Sequence, residues 1–288
     1  MDINIIKPIG PCFGVNNAIN LVLKVIKENC DKNIYLLGQI VHNDHINEKL
    51  ESLGINVLDF KPENALDILS KFTKDDIVIF SAHGHDDKYE QILNDKGVLF
   101  FDATCPSVLE TFEYIQKSDE VIYIGKTNHP ESLAAMTKHH NIHLYDINKP
   151  FDYSIIKTST PSVVNQTTIS ILDIKHIYED ILKHIPNAKI IPSVCNACQI
   201  RQENILKIKN TQAILIIGSQ HSSNTMRLYE IAKENHPDKD IYLIQDAKEI
   251  TNRHKKYTSI SITSGTSTPI ETIEEVITKL NEKSSSIN

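Results

Sequence analysis

A repeat with a period of roughly 90 residues does most to limit what this chain can fold into. Three cysteines stand at positions 12, 105 and 195, with gaps of 93 and 90 residues. Each follows a short apolar run and precedes an amphipathic stretch. Beyond each cysteine comes another apolar run and then a polar loop: Val41-His42-Asn43, Asn128-His129-Pro130-Glu131 and Ser222-Ser223-Asn224. Residues 42, 129 and 222 of those loops lie 30, 24 and 27 residues past the cysteines. A third set, Ala82-His83-Gly84, Gln166-Thr167-Thr168 and Thr266-Ser267-Thr268, lies about as regularly, with 83, 167 and 267 at offsets of 71, 62 and 72.

The apolar runs have strand length. Ile3–Ile6, Ile34–Leu37, Ile77–Phe80, Val98–Phe101, Val121–Ile124, Val163–Asn165, Lys189–Ile191, Ile214–Ile217, Ile241–Ile244 and Ser259–Ile262 read as buried strands. Helical spacing marks Val15–Glu28, Pro106–Gln116, Ile174–Leu182, Thr225–Glu234 and Ile270–Leu280. Strands alternating with helices call for parallel α/β sheets. The expectation is an α/β fold of three similar parallel-sheet units in a pseudo-threefold arrangement around a central cleft. The units are 1–100, 101–191 and 192–288, and the N-terminal strand is able to pack with the third. Open parallel sheets bind ligands beyond the carboxyl ends of their strands, where all nine elements fall. Three such ends facing one axis would gather Cys12, Cys105 and Cys195 and leave Cys30 and Cys198 outside. The tail Asn281–Asn288, with its three serines, is expected to fray.

Composition excludes some classes. The net charge is −7, and a general nucleic-acid binder needs an excess of Lys and Arg. A small anionic ligand needs only a few local donors and stays open. The N-terminus has no basic flank with a long apolar core, and no run approaches the ~20 residues that span a bilayer. A cytoplasmic protein is expected, with no membrane or nucleic-acid partner. In that compartment the five cysteines are thiols, metal ligands or reactive groups rather than disulfides.

A cysteine just ahead of a helix sits in partial positive charge that favours the thiolate. Three thiolates suit either an open zinc site or a cubane iron–sulfur cluster with one iron lacking a cysteine. Zinc sites usually draw paired ligands from one short segment, whereas these ligands are widely separated. Cys195-Asn-Ala-Cys198 is a lone C-x-x-C and weak evidence. Side-chain donors at strand and helix ends make an anion site, although Ser222–Asn224 taken alone reads as a helix cap. Glu131 is the one carboxylate in these loops. It reads either as a proton donor or as an acidic residue starting a helix.

Together these residues resemble the 4-hydroxy-3-methylbut-2-enyl diphosphate reductase family. Gly10-Pro11-Cys12-Phe13-Gly14-Val15, Val41-His42-Asn43, Ser81-Ala82-His83-Gly84 and Asp102-Ala103-Thr104-Cys105-Pro106 follow its order. So do His129-Pro130-Glu131, Gln166-Thr167-Thr168, Cys195 with Gln199 and Arg201-Gln202, Gly218-Ser219 with Ser222-Ser223-Asn224, and Gly265-Thr266-Ser267. Four positions depart from the family's habit. Pro11 and Phe13 flank Cys12 where Phe and Ala are usual, Asn128 precedes His129 where Gly is usual, and Cys198 stands where Thr is common.

The resemblance implies three α/β domains and a [4Fe–4S] cluster on Cys12, Cys105 and Cys195. It implies reductive dehydroxylation of 4-hydroxy-3-methylbut-2-enyl diphosphate to isopentenyl and dimethylallyl diphosphate, with electrons from a ferredoxin or flavodoxin. By the same resemblance His42, His83, His129, Ser222, Ser223, Asn224 and Ser267 hold the diphosphate. Glu131, with Thr167 and His129, serves proton delivery near the hydroxyl, where Thr167 also touches substrate. The rivals are an iron–sulfur hydro-lyase, which needs no reductant, a cluster-sensing or diphosphate-binding module, which needs no proton donor, and a zinc hydrolase, which is colourless.

Overall fold

The structure is a computed structural model and describes residues 1–282. Its strands and helices alternate. β1 (Asp2–Ile5), α1 (Phe13–Glu28), β2 (Asn33–Leu37), α2 (Asp44–Ser52), β3 (Ile55–Leu58), α3 (Ala65–Lys71), β4 (Asp76–Phe80), α4 (Asp87–Asp95) and β5 (Leu99–Asp102) come first. Then follow α5 (Pro106–Gln116), β6 (Val121–Gly125), α6 (Pro130–Ala135), β7 (Ile142–Asp146), β8 (Ser162–Asn165), α7 (Ile171–His184) and β9 (Lys189–Ile190). The rest is α8 (Asn196–Leu206), β10 (Ala213–Ile217), α9 (Ser223–Asn235), β11 (Asp240–Ile244), α10 (Asn252–Lys255), β12 (Ser259–Ser264) and α11 (Ile270–Asn281). Of the tail expected to fray, Asn281 ends α11, and residues 283–288 lie outside the described residues.

The strands form three four-stranded sheets, ordered β3-β2-β4-β5, β7-β6-β8-β9 and β11-β10-β12-β1. Every pairing in them is parallel. The three orders are the same order. Two central strands carry the polar loops, an outer strand flanks one of them, and a strand leading to a cysteine flanks the other. In the first and second sheets the chain leaves one central strand toward one edge and the other central strand toward the opposite edge; in the third it leaves β10 toward β11, and β1, the first strand of the chain, fills the opposite edge beside β12. The crevice between those strands' carboxyl ends is the topological switch point, where open α/β sheets bind ligands.

The central strands β4, β6 and β10 are largely apolar because both faces are covered. All five residues of β4, β6 and β10 are buried. In the second sheet Val121 and Tyr123 pack with Val108, Phe112 and Ile115 of α5. Ile122 and Ile124 face the other way, onto Ile174 and Ile181 of α7. That split is the period-two alternation of a strand. Full burial of one such aliphatic side chain stabilises the fold by about 1.5–3 kcal/mol.

Two strands were not foreseen from the sequence, β3 and β7. Both are outer strands with a polar residue between apolar ones, Asn56 in β3 and His143 in β7, and neither is buried throughout. An interrupted run of that kind carries no continuous apolar signal. With them in place, each cysteine follows an edge strand of its sheet, Cys105 after β5, Cys195 after β9 and Cys12 after β1, which pairs with β12.

The chain divides into two compact units. One holds residues 1–12, 42–44 and the described residues from 196 onward, and so contains the third sheet. The other holds 13–41 and 45–195, with the first and second sheets. Among the described residues no helix is long and apolar enough to cross a membrane.

Candidate functional site

The three cysteines are held alike. Each donates its backbone N–H to a carbonyl in the third polar loop of its own sheet. Cys12 bonds Thr266 O at 3.0 Å, Cys105 bonds Ala82 O at 3.0 Å and Cys195 bonds Thr167 O at 2.9 Å. The repeat seen along the chain is therefore a repeat of hydrogen bonding. The neighbouring loop segment is anchored in each case. Ser264 Oγ accepts Gly10 N–H at 2.8 Å, Asp102 accepts Thr104 N–H at 2.8 Å, and Asn165 Oδ1 accepts Ser193 N–H at 3.0 Å.

None of the five cysteines is in a disulfide. Cys12, Cys105 and Cys195 are each half-buried, whereas Cys30 is exposed and Cys198 is buried in α8. Cys105 is the N-cap of α5, yet its thiol makes no capping bond. Gly14 leaves room beside it, since a Cβ there would lie 2.5 Å from Cys105 Sγ. Among the described residues no three His, Cys, Asp or Glu side chains gather as ligands of a single metal ion. Thiolates on a cubane ligate separate irons, so they stand apart by the width of the cluster.

In the unit built on the third sheet, the loops after β10 and β12 are lined with buried polar groups. Ser219, Ser222, Asn224, Thr266 and Ser267 are all buried. Ser222 caps α9, its Oγ accepting Thr225 N–H at 3.3 Å, so the capping reading holds. The same hydroxyl keeps its hydrogen to donate. Asn224 is only 2% exposed, and neither polar atom of its carboxamide has a hydrogen-bond partner among the described residues. A buried amide without partners is costly, which makes this a candidate place for a ligand to supply them. Asn43 ties the Val41-His42-Asn43 loop to this site by donating from Nδ2 to Ser267 O at 2.9 Å. Ser267 Oγ donates to His42 O at 3.4 Å. Burial holds the His42 imidazole below its usual pKa, His221 adds to this, and Asp44 opposes it.

In the other unit, Glu131 occupies the start of α6. It is 2% exposed. Thr167 donates its N–H to Oε1 at 2.7 Å and its hydroxyl to Oε2 at 2.8 Å. Tyr123 donates its phenolic O–H to Oε1 at 3.4 Å. Burial is the largest influence on the carboxyl and raises it to about 7, against the opposing hydrogen bonds from Thr167 and Tyr123, with Cys195 adding to the rise. The helix-start reading is also fulfilled, since Glu131 lies in the first turn of α6. His129 is the N-cap of that helix, and its Nδ1 accepts Glu131 N–H at 3.2 Å. An accepting Nδ1 places the proton of a neutral imidazole on Nε2. His83 lies beside it, with ring centroids 6.1 Å apart, and its Nδ1 contacts Ser81 Oγ at 3.2 Å.

Of the residues expected from the sequence, His42, Ser222, Ser223, Asn224, Ser267 and Cys12 fall in the first unit. His83, His129, Glu131, Thr167, Cys105 and Cys195 fall in the second. Tyr123, Asn165 and Gly14 were not singled out. Tyr123 and Asn165 lie inside strands, where their apolar neighbours make them read as core.

A family model described as LytB protein matches residues 3–281. The chain belongs to the LytB protein family. A relative from Brevibacillus brevis, named 4-hydroxy-3-methylbut-2-enyl diphosphate reductase, is 34% identical over 292 residues, covering 98% of this chain and 92% of its own. One of the same name from Bacillus thuringiensis is 35% identical over 285 residues, covering 96% and 89%. Among solved structures, the E-1-hydroxy-2-methyl-but-2-enyl-4-diphosphate reductase from Plasmodium falciparum superposes with a TM-score of 0.85 at 27% identity, over 96% of this chain and 87% of that one. A (E)-4-hydroxy-3-methyl-but-2-enyl diphosphate reductase, described as the terminal enzyme of the non-mevalonate pathway, superposes with a TM-score of 0.71 at 29% identity, over 98% and 100%. The fold of the family is that of this chain: parallel four-stranded sheets flanked by helices.

Proposed function

We propose that this chain reduces 4-hydroxy-3-methylbut-2-enyl diphosphate to isopentenyl and dimethylallyl diphosphate, the reaction its relatives are named for. The observation that carries the reading is the shared seating of three cysteines beside loops that hold a buried carboxyl and a buried carboxamide without a partner among the described residues. The residues fit a [4Fe–4S] cluster. The donor set is three thiols delivered by three separate loops, and Gly14 leaves room where a side chain would collide with Cys105. When bound, the cluster supplies an open iron as Lewis acid for the substrate hydroxyl and a route for single electrons.

The chain's own residues do the rest. His42, His83, Ser222, Ser223, Asn224 and Ser267 hold the diphosphate through hydroxyl, amide and imidazole N–H donors. His129 does so through Nε2–H, its Nδ1 being engaged in the capping bond. The Asn224 carboxamide gains in the complex the partner it lacks in the protein. Glu131 is the proton donor. With its carboxyl raised to about 7, it is protonated in a large share of molecules at neutral pH, and the Thr167 hydroxyl beside Oε2 carries the proton toward the leaving oxygen. Two electrons and two protons convert the C–OH bond into a C–H bond and water. A ferredoxin or flavodoxin in the cytoplasm supplies the electrons.

Anaerobic turnover of the hydroxylated diphosphate with an artificial one-electron reductant tests this. Both isomeric products are expected, together with a brown protein that stays inactive until the reductant is added. Turnover without reductant would instead indicate a hydro-lyase, and a colourless active protein a zinc hydrolase.

A further inference from the structure

We propose that Tyr123 is a positioning residue for Glu131, its phenol holding one carboxylate oxygen so that the other faces the Thr167 hydroxyl. The inference rests on the reading of Glu131 as proton donor and goes beyond it. Tyr123 lies in the middle of β6 and is 0% exposed. Its ring sits in the apolar layer with Ala134, Ala135 and Val164. An aliphatic residue would suit that layer without the cost of burying a hydroxyl. The hydroxyl here reaches Glu131 Oε1 at 3.4 Å. The same oxygen accepts Thr167 N–H at 2.7 Å, while among the described residues Oε2 takes only the Thr167 hydroxyl, at 2.8 Å. The two ends of the carboxyl are thereby made unequal. Oε1 is clamped by a phenol and a backbone amide, and Oε2 is left for proton exchange through a hydroxyl that can both accept and donate.

The seat of the ring is built by the sequence two residues on. A Cβ at Gly125 would fall 2.8 Å from Tyr123 Cε1 and 2.6 Å from Ser132 Oγ. Any side chain at 125 would push on the ring and on the first turn of α6 together. Burial, with the adjacent Glu131 charge, holds the phenol well above its usual pKa. Tyr123 therefore keeps its proton and donates a hydrogen bond only. Its place is to orient Glu131, not to pass a proton to it.

A double-mutant cycle on the cluster-loaded enzyme tests the assignment, with artificial reductant and saturating substrate. Tyr123→Phe preserves the ring and removes only the donor. Its kcat is expected to fall about three- to tenfold, with KM and the cluster absorption per protein unchanged. Glu131→Gln is expected to be much slower. The combined variant is expected to match Glu131→Gln alone, because Tyr123 acts only through the carboxyl. A Tyr123→Phe enzyme at wild-type rate, or losses that multiply in the combined variant, overturns the inference. Were Glu131→Gln itself to run at wild-type rate, the reading of Glu131 would fall first, which separates the two failures. If Tyr123→Phe loads cluster poorly, Tyr123→Met and rates per loaded cluster give the same comparison.

Discussion

Glu131 is a carboxyl that the fold makes expensive to ionise, and its proposed role as proton donor uses that expense. Its pKa moves from the ordinary 4.5 to about 7 on folding. The sign follows directly: stability present below pH 4.5 is lost as pH rises through 7, in total about 3 kcal/mol. Glu131→Gln removes the titration. Its melting midpoint relative to wild type should therefore be higher at pH 8 than at pH 5, as calorimetry on the loaded protein can measure. Turnover should move the other way, dropping on the order of 10²–10⁴-fold while affinity holds. Wild-type turnover should decline as pH climbs past 7, since the donor must carry its proton. The residues proposed to hold the diphosphate obey a different rule. Asn224→Ala with Ser267→Ala removes hydrogen bonds to a charged ligand worth about 1.5–3 kcal/mol each. The pair should weaken substrate binding by titration calorimetry and leave cluster content alone.

Elements set what these residues can reach. Asn128, where the family's habit is Gly, has φ of +67°. Left-handed backbone is open to Gly without penalty and to Asn at small cost, so this departure keeps the loop shape ahead of α6. Asn128→Ala should lower stability by about 1 kcal/mol, whereas Asn128→Gly should stay near wild type; thermal melts of both variants decide it. Gly14 shows the opposite constraint. It opens α1 with ordinary backbone, and its bareness matters only because Cys105 Sγ lies where a Cβ would point. Gly14→Ala should fold but displace that thiol, so iron content and visible absorption per protein should fall. Phe13, 74% exposed, makes no comparable demand.

At the scale of the whole molecule, one strand order is used three times, and each use puts two polar loops at a switch point and a cysteine beside them. A cluster bound only by the folded chain stabilises that chain. Iron removal should accordingly lower the melting midpoint, and Cys12→Ser, with one thiolate gone, should show a smaller difference between loaded and stripped protein. Much of this architecture was legible along the chain. Apolar runs at Ile77–Phe80, Val121–Ile124 and Ile214–Ile217 announce central strands, because only strands covered on both faces can be apolar at every position. The outer strands β3 and β7 were hidden, because an interrupted apolar run reads equally well as loop or helix.

The sequence by itself determined the family and the parallel α/β class, and it nominated the residues of the candidate site. Cysteine, histidine, serine and glutamate keep their chemistry wherever they are placed, and their recurrence at matched offsets shows through the variation around them. What only the tertiary structure decided is how those groups are tuned. Nothing in the string Val121-Ile122-Tyr123-Ile124 tells a core tyrosine from one whose hydroxyl meets a carboxylate. The pKa of Glu131 and the buried amide of Asn224, without a partner among the described residues, are likewise sums over neighbours distant in sequence. Burial and hydrogen bonding are properties of surroundings, and for these residues the surroundings come into being only when the sheets and their helices pack.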